Sequence, residues 1–164
     1  MMDQAVDMRK TLLDADGCSF RGKITADYGE MIYLFSMNCV VDSSGNMTFT
    51  VLEPESICGI TGQISQEGAA LTFDDKVLAF PPIAGDQLTP VSAPWIFINT
   101  LRSGYLTGYS REESDYLLYL DDSYNEHPLH LEIRTDSHMT PTYAEIIWQD
   151  QRVLSLLIQD FEIL

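Results

Sequence analysis

Basic residues are scarce in this chain of 164 residues. It has 9 lysines and arginines against 25 aspartates and glutamates, so the formal net charge is −16. Nucleic-acid binding through phosphate contacts needs clustered lysine and arginine, and so does docking on an anionic lipid surface. The composition therefore argues against both functions. A surface of one charge sign also steers association with a basic protein, so a basic partner stays open as an alternative.

Long apolar runs and export signals are also missing. No segment approaches the roughly 20 apolar residues of a membrane-spanning helix. The stretch from Met1 to Asp16 lacks the continuous apolar core of a signal peptide. The pair Met1 and Met2 fits a start placed after a removed leader, and it fits a native cytosolic start equally well. Cys18 is not expected to carry a lipid anchor, because two of the four residues before it are acidic.

Cysteines are few and unevenly placed. Cys18, Cys39 and Cys58 show neither C-x-x-C spacing nor a clustered histidine, so no metal site is expected from them. We interpret them as small apolar residues on strands. One disulfide with one thiol left over remains an alternative.

Catalytic signatures are absent as well. The sequence has no G-x-x-x-x-G-K-[ST] loop, no G-x-G-x-x-G fingerprint and no G-x-S-x-G elbow. With 25 acidic residues, chance pairs of carboxylates are too common to indicate glycoside chemistry. We therefore predict that the protein is not an enzyme and has no cofactor. A hydrolase of unrecognised type is a third hypothesis.

One short region has the residue types of a metal site. On a strand, Glu126, His130 and Glu132 share a face, and the segment from Asp121 to Glu126 has oxygen ligands at alternate positions as an EF-hand does. Glu126 stands where that loop requires glycine, and Pro128 interrupts the segment after it. We therefore interpret the region as a solvated hairpin and predict no metal.

The pattern along the chain is mostly of period two. A short helix is predicted over 3–13, with an apolar stripe of Ala5, Met8, Leu12 and Leu13 at roughly helical spacing, and alternation begins at Ser19. The strand from Met31 to Val41 has one wholly apolar face, and its hairpin partner resumes at Met47 after a turn rich in Ser, Gly and Asn. Further strands are predicted around 59–65, 70–73, 77–80, 105–109, 116–120, 129–134, 143–148 and 153–158, with a loop over 81–86.

One segment changes to a helical period. Over 93–103 Trp95, Ile98 and Leu101 form a stripe, Ile96 and Phe97 make the helix apolar nearly all round, and Gly104 ends it. A short helix of this kind must be buried against a broad surface. The chain is therefore predicted to be mainly β with short helices. About ten strands form one curved antiparallel sheet in a single domain, 1–164, with the helix over its concave face.

Two segments resemble the lipoprotein-carrier (LolA/LolB-like) superfamily, and more narrowly the small lipoproteins of Gram-positive bacteria that are assigned this fold. They are Val51 to Thr61, a strand ending in proline before a glycine turn, and Ala93 to Gly104, the apolar helix. The resemblance implies a half-open β-barrel outside the cytoplasm, near the cell envelope. It implies non-enzymatic binding of a lipid, a lipoprotein or its acyl chains. Membrane attachment would be only through a removed N-terminal anchor.

An acyl chain would lie between the sheet and the predicted helix. Flexible methionines and flat aromatic rings suit a ligand of variable shape. The side chains predicted to bind it are Met31, Tyr33, Phe35, Met37, Phe49, Trp95, Phe97, Ile98, Leu131 and Trp148. The same concentration of apolar side chains also fits an ordinary packed core.

Overall fold

The computed structural model describes residues 2–27, 29, 32–65, 68–71, 92–122 and 128–164. Two α-helices, a short 3₁₀ helix at Glu55–Ile57 and ten strands make up this part of the chain. In chain order they are α1 Met2–Asp14, β1 Gly17–Asp27, β2 Ile32–Asp42, β3 Met47–Glu53, β4 Thr61–Ser65, β5 Gly68–Leu71, α2 Ala93–Ser103, β6 Tyr105–Glu112, β7 Asp115–Asp121, β8 His130–Thr135, β9 Pro141–Trp148 and β10 Gln151–Ile163.

All ten strands belong to one antiparallel sheet. Its order is β5-β4-β3-β2-β1-β10-β9-β8-β7-β6, so two meanders meet where the first strand pairs with the last. The sheet is open and curved into a half-barrel. Strands β1 and β10 lie near opposite ends of the chain, and their pairing places Ala26 beside Leu154. The centre of the sheet therefore depends on the pairing with the greatest separation in sequence. The mainly β half-barrel predicted from the sequence is confirmed.

The core lies on the concave face. On β2 the residues Phe35, Met37, Cys39 and Val41 are buried, and their neighbours across β1 and β3 continue the layer. This is the alternation predicted from the sequence. Ser36, on the opposite face of β2, is also buried, at 6% exposure, and it lies beside the register shift of β2 against β3 that places Glu53 opposite it.

Helix α2 lies over the concave face, as predicted. Its inward residues Phe97, Ile98 and Leu101 are buried to 2% exposure or less. A Cβ at Gly22 of β1 would stand 4.0 Å from the Pro94 ring, so the first turn of the helix rests directly on the sheet. Gly104 ends the helix, and a Cβ there would lie 2.7 Å from the Thr100 carbonyl oxygen. No side chain larger than hydrogen fits at that position without a local shift.

Helix α1 packs beside α2. Ala5 and Leu12 are buried and Met8 is half-buried, which agrees with the predicted stripe. The sequence pattern also places Leu13 on that stripe, but Leu13 is 45% exposed, because consecutive residues point in different directions around a helix. Within the described residues neither helix is long and apolar enough to cross a membrane.

Strand β10 is longer than its sequence pattern predicts. It continues past Ile158 to Ile163 through Asp160, whose φ of +55° reverses the alternation and returns Phe161 to the concave side. Phe161 then stacks on Phe20 with ring centroids 6.0 Å apart. Because the irregularity interrupts the alternation, the period of two in the sequence does not show that the strand continues to Ile163.

The prediction that the cysteines are apolar residues on strands is correct for two of the three. Cys18 and Cys39 are buried on β1 and β2, but Cys58 is exposed in the turn after the 3₁₀ helix rather than on a strand. None of the three forms a disulfide. The strand predicted at 77–80, the loop at 81–86, half of the predicted strand at 70–73, and Glu126 lie outside the described residues.

Candidate functional site

Nine of the ten predicted ligand-binding residues can be located, and all nine pack on the concave face or on the helix above it. Met31 lies outside the described residues. Tyr33, Trp95 and Trp148 are half-buried and pack against the core. The others are buried to 3% exposure or less: Phe35, Met37, Phe49, Phe97, Ile98 and Leu131. The structure thus brings the predicted set together in one apolar layer, while its role in binding stays a prediction.

An aromatic contact joins the sheet to the helix above it. The Phe97 ring meets the Phe20 ring edge to face, with centroids 5.5 Å apart and planes at 84°. Phe20 is not among the predicted residues, because alternation from Ser19 alone does not show which face of β1 turns inward. Edge-to-face pairs add about 0.5–1.5 kcal/mol beyond the area that they bury.

The layer is closely packed. The space found between α1, α2 and strands β6 and β7 measures about 60 Å³ and is lined by aliphatic residues that include Leu101, Leu106 and Leu118. A dry cavity that admits benzene is about 150 Å³. In this conformation the described residues leave no room in that space for an acyl chain.

Few polar contacts hold the helices in place. Arg9 of α1 donates from Nε to the Leu101 carbonyl, at 2.9 Å, and from Nη2 to the Thr100 carbonyl, at 3.3 Å. These bonds satisfy two carbonyls in the last turn of α2 and place a positive charge at the negative end of the helix. Partial burial lowers the pKa of Arg9 from its ordinary value, although a guanidinium stays charged.

Two contacts tie α2 to the turn between β2 and β3. Trp95 donates from Nε1 to the Gly45 carbonyl at 3.3 Å, and Arg102 donates from Nη2 to the Ser43 carbonyl at 3.1 Å. Sequence reasoning missed both arginines, Arg9 and Arg102. Their signal in the sequence is weak, since a basic residue near a helix end is common on solvated surfaces.

Two grooves flank the helices. The α2 groove, about 600 Å³, runs between the last turns of α2, the β2–β3 turn and β4. The α1 groove, about 560 Å³, lies between α1, the β8–β9 turn and the end of β10, with Met8, Met139 and Phe161 among its lining residues. Each groove is lined in part by apolar residues of the core or packed against it, Met47 and Ile64 in the α2 groove and Met8 and Phe161 in the α1 groove.

The buried thiols of Cys18 and Cys39 are poorly reactive. Burial raises the pKa of Cys18 to about 11, although the nearby Arg102 charge opposes part of that shift. Burial and the neighbouring Cys18 raise the pKa of Cys39 far above its ordinary value. A neutral buried thiol is neither a good nucleophile nor a metal ligand, so these cysteines act as apolar core residues.

The polar region around His130 holds no metal cluster in the part of the chain that the structure describes. His130 Nδ1 pairs with Asp121 Oδ1 on the neighbouring strand, at the exposed convex side of β7 and β8. No group of three or more His, Cys, Asp or Glu side chains among the described residues has a geometry that could hold a metal ion.

No protein-family profile and no curated protein sequence matches the chain. Solved structures do match. A LolA superfamily protein from Nitrosomonas europaea aligns over 98% of this chain and 93% of its own, with 10% identity and a TM-score of 0.46. An uncharacterized conserved protein from Thermus thermophilus aligns over 100% and 88%, with 11% identity and a TM-score of 0.48. MucB, in the Pseudomonas aeruginosa MucA/MucB complex, aligns over 98% and 56%, with 11% identity and a TM-score of 0.43.

The fold of this chain is a half-open β-barrel. It consists of one open antiparallel sheet, two meanders joined through β1 and β10, and an apolar helix over the concave face. The half-open β-barrel implied by the sequence resemblance is therefore confirmed. The narrower resemblance to Gram-positive lipoproteins stays a prediction.

Proposed function

We propose that this protein is an extracytoplasmic, non-enzymatic binding protein. It holds the acyl chains of a lipid or lipoprotein against the concave face of its half-barrel, with residues 1–164 acting as one domain. The observation that carries the proposal is the apolar layer between the sheet and α2. Helix α2 covers that layer with Phe97 and Ile98 at 0% exposure, and the described side-chain hydrogen bonds that join it to other elements are the four of Arg9, Trp95 and Arg102.

Binding would exchange one apolar surface for another. When part of α2 or α1 moves away, the sheet exposes Phe35, Met37, Phe49 and Leu131, and an acyl chain then covers them. Each methylene that leaves water contributes about 0.8 kcal/mol, so a long chain offsets the cost of separating the helix from the sheet. Met37 adapts to different chains because it is unbranched and has several rotatable bonds.

The proposed location follows from the same ligand. An acyl chain that needs a covered site is one that must cross water, and the sequence resemblance to LolA-like proteins fits an envelope protein that does so.

Tryptophan quenching by a brominated fatty acid tests the proposal. The chain has two tryptophans, Trp95 on α2 and Trp148 on β9, and both border the apolar layer. A fatty acid with bromine at the middle of its chain quenches a nearby indole. The single-tryptophan variants Trp95→Phe and Trp148→Phe show which end of the layer the bromine reaches. We expect saturable quenching in at least one of them.

The matched control is a bromoalkanoate too short to cross the layer. Saturable quenching by the long acid alone supports a chain in the layer. Equal, non-saturating quenching by both acids indicates collision in solution and contradicts the proposal. Organic extraction of the natively purified protein with mass spectrometry then identifies the chain that the protein carries.

A second candidate function is an acidic protein-interaction module of the same fold. Two observations favour it, the net charge of −16 and the apolar side chains on the convex face, where Ile32 and Leu34 are 63% and 68% exposed. Association with a basic partner through such a surface slows steeply as salt rises. An association rate that does not depend on salt would count against this function.

A further inference from the structure

The α2 groove combines a polar rim with a floor that belongs to the apolar core. Met47 and Ile64, which are exposed by 0% and 4%, form part of the floor. The rim is made of uncharged amide and hydroxyl side chains together with one acid and one cation, and it includes Asn46, Gln63, Asn99, Ser103, Asp42 and Arg102. A groove of this form suits an amphiphile, with its apolar part inward and its polar part at the rim.

Arg102 is the one cation among the residues that line this groove. Its Nη2 donates to the Ser43 carbonyl, while its Nη1 is buried and has no hydrogen-bond partner among the described residues. Leaving a buried donor of a charged group unpaired is costly, so the position favours an added acceptor. The described ion pairs elsewhere engage His130, Arg134 and Arg152, and none of them includes Arg102.

The acid in the groove does not neutralise this arginine. Asp42 Oδ1 accepts hydrogen bonds from the backbone N–H groups of Ser44, at 2.9 Å, and Asn46, at 3.0 Å. That carboxylate oxygen therefore closes the turn. Gly45, with φ of +87°, lets the turn approach the guanidinium, since a Cβ there would stand 3.4 Å from Arg102 Nε.

Position along α2 connects the arginine to the apolar layer. Arg102 follows Ile98 by four residues and is next to Leu101, both of which are buried against the sheet. The guanidinium at the α2 groove and the apolar side chains under α2 are therefore about one helical turn apart. A single-chain lipid is long enough to contact both.

We infer that the α2 groove is the headgroup subsite of the ligand and that Arg102 binds a phosphate there. This inference rests on the proposed acyl-chain binding. A guanidinium suits phosphate because its N–H groups form a fixed fork that matches two phosphate oxygens. The net charge of −16 does not prevent this contact, because repulsion from distant carboxylates is screened over about 8 Å at physiological salt. Docking on a membrane surface would need a cluster of such cations, but holding one lipid does not.

Three ligands isolate the phosphate from the chain. Lysophosphatidic acid and a monoacylglycerol with the same acyl chain differ only in the phosphate. Glycerol 3-phosphate is lysophosphatidic acid without its acyl chain. We expect the folded protein to bind lysophosphatidic acid at least tenfold more tightly than the monoacylglycerol. We expect glycerol 3-phosphate to bind far more weakly than either lipid. Calorimetric titration measures all three.

Three variants assign the preference to Arg102. Arg102→Met removes the preference, because any loosening of α2 changes the affinities for both lipids by the same factor while the phosphate contact affects only one, and Arg102→Lys retains part of the preference. Arg21→Met makes the same change of charge at an exposed position on the convex face of β1 and keeps the full preference. A thermal melt of each variant shows that it is folded.

Each other outcome overturns the inference. Equal affinity of the wild-type protein for both lipids rejects the phosphate subsite while acyl-chain binding stands. An equal change in affinity for both lipids in Arg102→Met, which keeps the full preference, assigns the arginine to holding α2 rather than the ligand. Glycerol 3-phosphate that binds as tightly as the lipid indicates a free-phosphate site. If neither lipid binds, the proposed function fails, and the inference fails with it.

Discussion

Phe20 and Phe97 meet edge to face at 5.5 Å, and this contact joins the first strand to the helix that covers the concave face. Phe20 also stacks on Phe161 at 6.0 Å, so three rings from three distant parts of the chain form one row. The row crosses the apolar layer beneath α2. It therefore links the stability of the domain to the position of that helix.

Replacing Phe97 by alanine should be strongly destabilising. The ring is fully buried, so its loss removes an apolar side chain and leaves a cavity, at a cost of about 3–5 kcal/mol. Phe161→Ala is the matched control, because Phe161 also contacts Phe20 but is half-buried. Urea denaturation measures both. A smaller loss for Phe97 than for Phe161 would contradict the close packing of α2.

Replacing Arg9 by methionine should loosen α2. Two hydrogen bonds to helix carbonyls are lost, together with a favourable charge at the helix end, at a cost of roughly 1–2 kcal/mol. If the covered state competes with the acyl chain, that cost raises the apparent affinity for the brominated fatty acid by about 5- to 30-fold. Lys10→Met, at an exposed neighbouring position, should change neither quantity. Unchanged affinity in Arg9→Met would show that the ligand does not displace α2.

The buried thiols should make the protein less stable in alkaline solution. The pKa of Cys18 in the folded state is about 11, above its ordinary value of 9.0, so the folded chain retains a proton that the unfolded chain releases. This contribution to stability is complete below pH 9 and is lost as the pH rises toward 11. Cys39 acts in the same direction, because burial raises its pKa as well. The double variant Cys18→Ala, Cys39→Ala should flatten the dependence on pH in this range, as measured by denaturation at pH 8, 9 and 10.

Alkylation provides an independent measure of the same thiols. A thiol reagent at neutral pH should label Cys58, which is exposed, in the native protein. Cys18 and Cys39 should be labelled only after denaturation, because they are buried and protonated. Mass spectrometry of the labelled peptides reads all three positions. Rapid native labelling of Cys18 would show that α2 leaves the concave face often.

Local patterns predict the regular parts of the fold. The β2–β3 hairpin follows from alternation on both sides of a turn built on Asp42 to Asn46, and α2 follows from its apolar stripe between Pro94 and Gly104. Most of the candidate site could be predicted for the same reason. The inward side chains of β2 are set by a period of two over an unbroken run, so the burial of Phe35 and Met37 is predicted correctly.

Other features depend on irregularities or on distant contacts. The positive φ of Asp160 lies in β10 past the point where alternation ends, and Ser36 is buried beside a register shift, on the side of β2 opposite its apolar face. Neither is encoded by a repeated pattern. Arg9 and Arg102 were missed because their partners are backbone carbonyls 92 and 59 residues away.

The sequence by itself determined which residues are apolar, how they alternate, and that one apolar helix needs a broad surface to cover. Those properties depend on neighbours within a few positions, which hydrophobic periodicity reports directly. Only the tertiary structure decided that β1 pairs with β10, that the concave layer is filled, and that one arginine faces a groove leading to it. These depend on contacts between distant segments, because packing and hydrogen bonds across the chain select one arrangement among many that share the same local pattern.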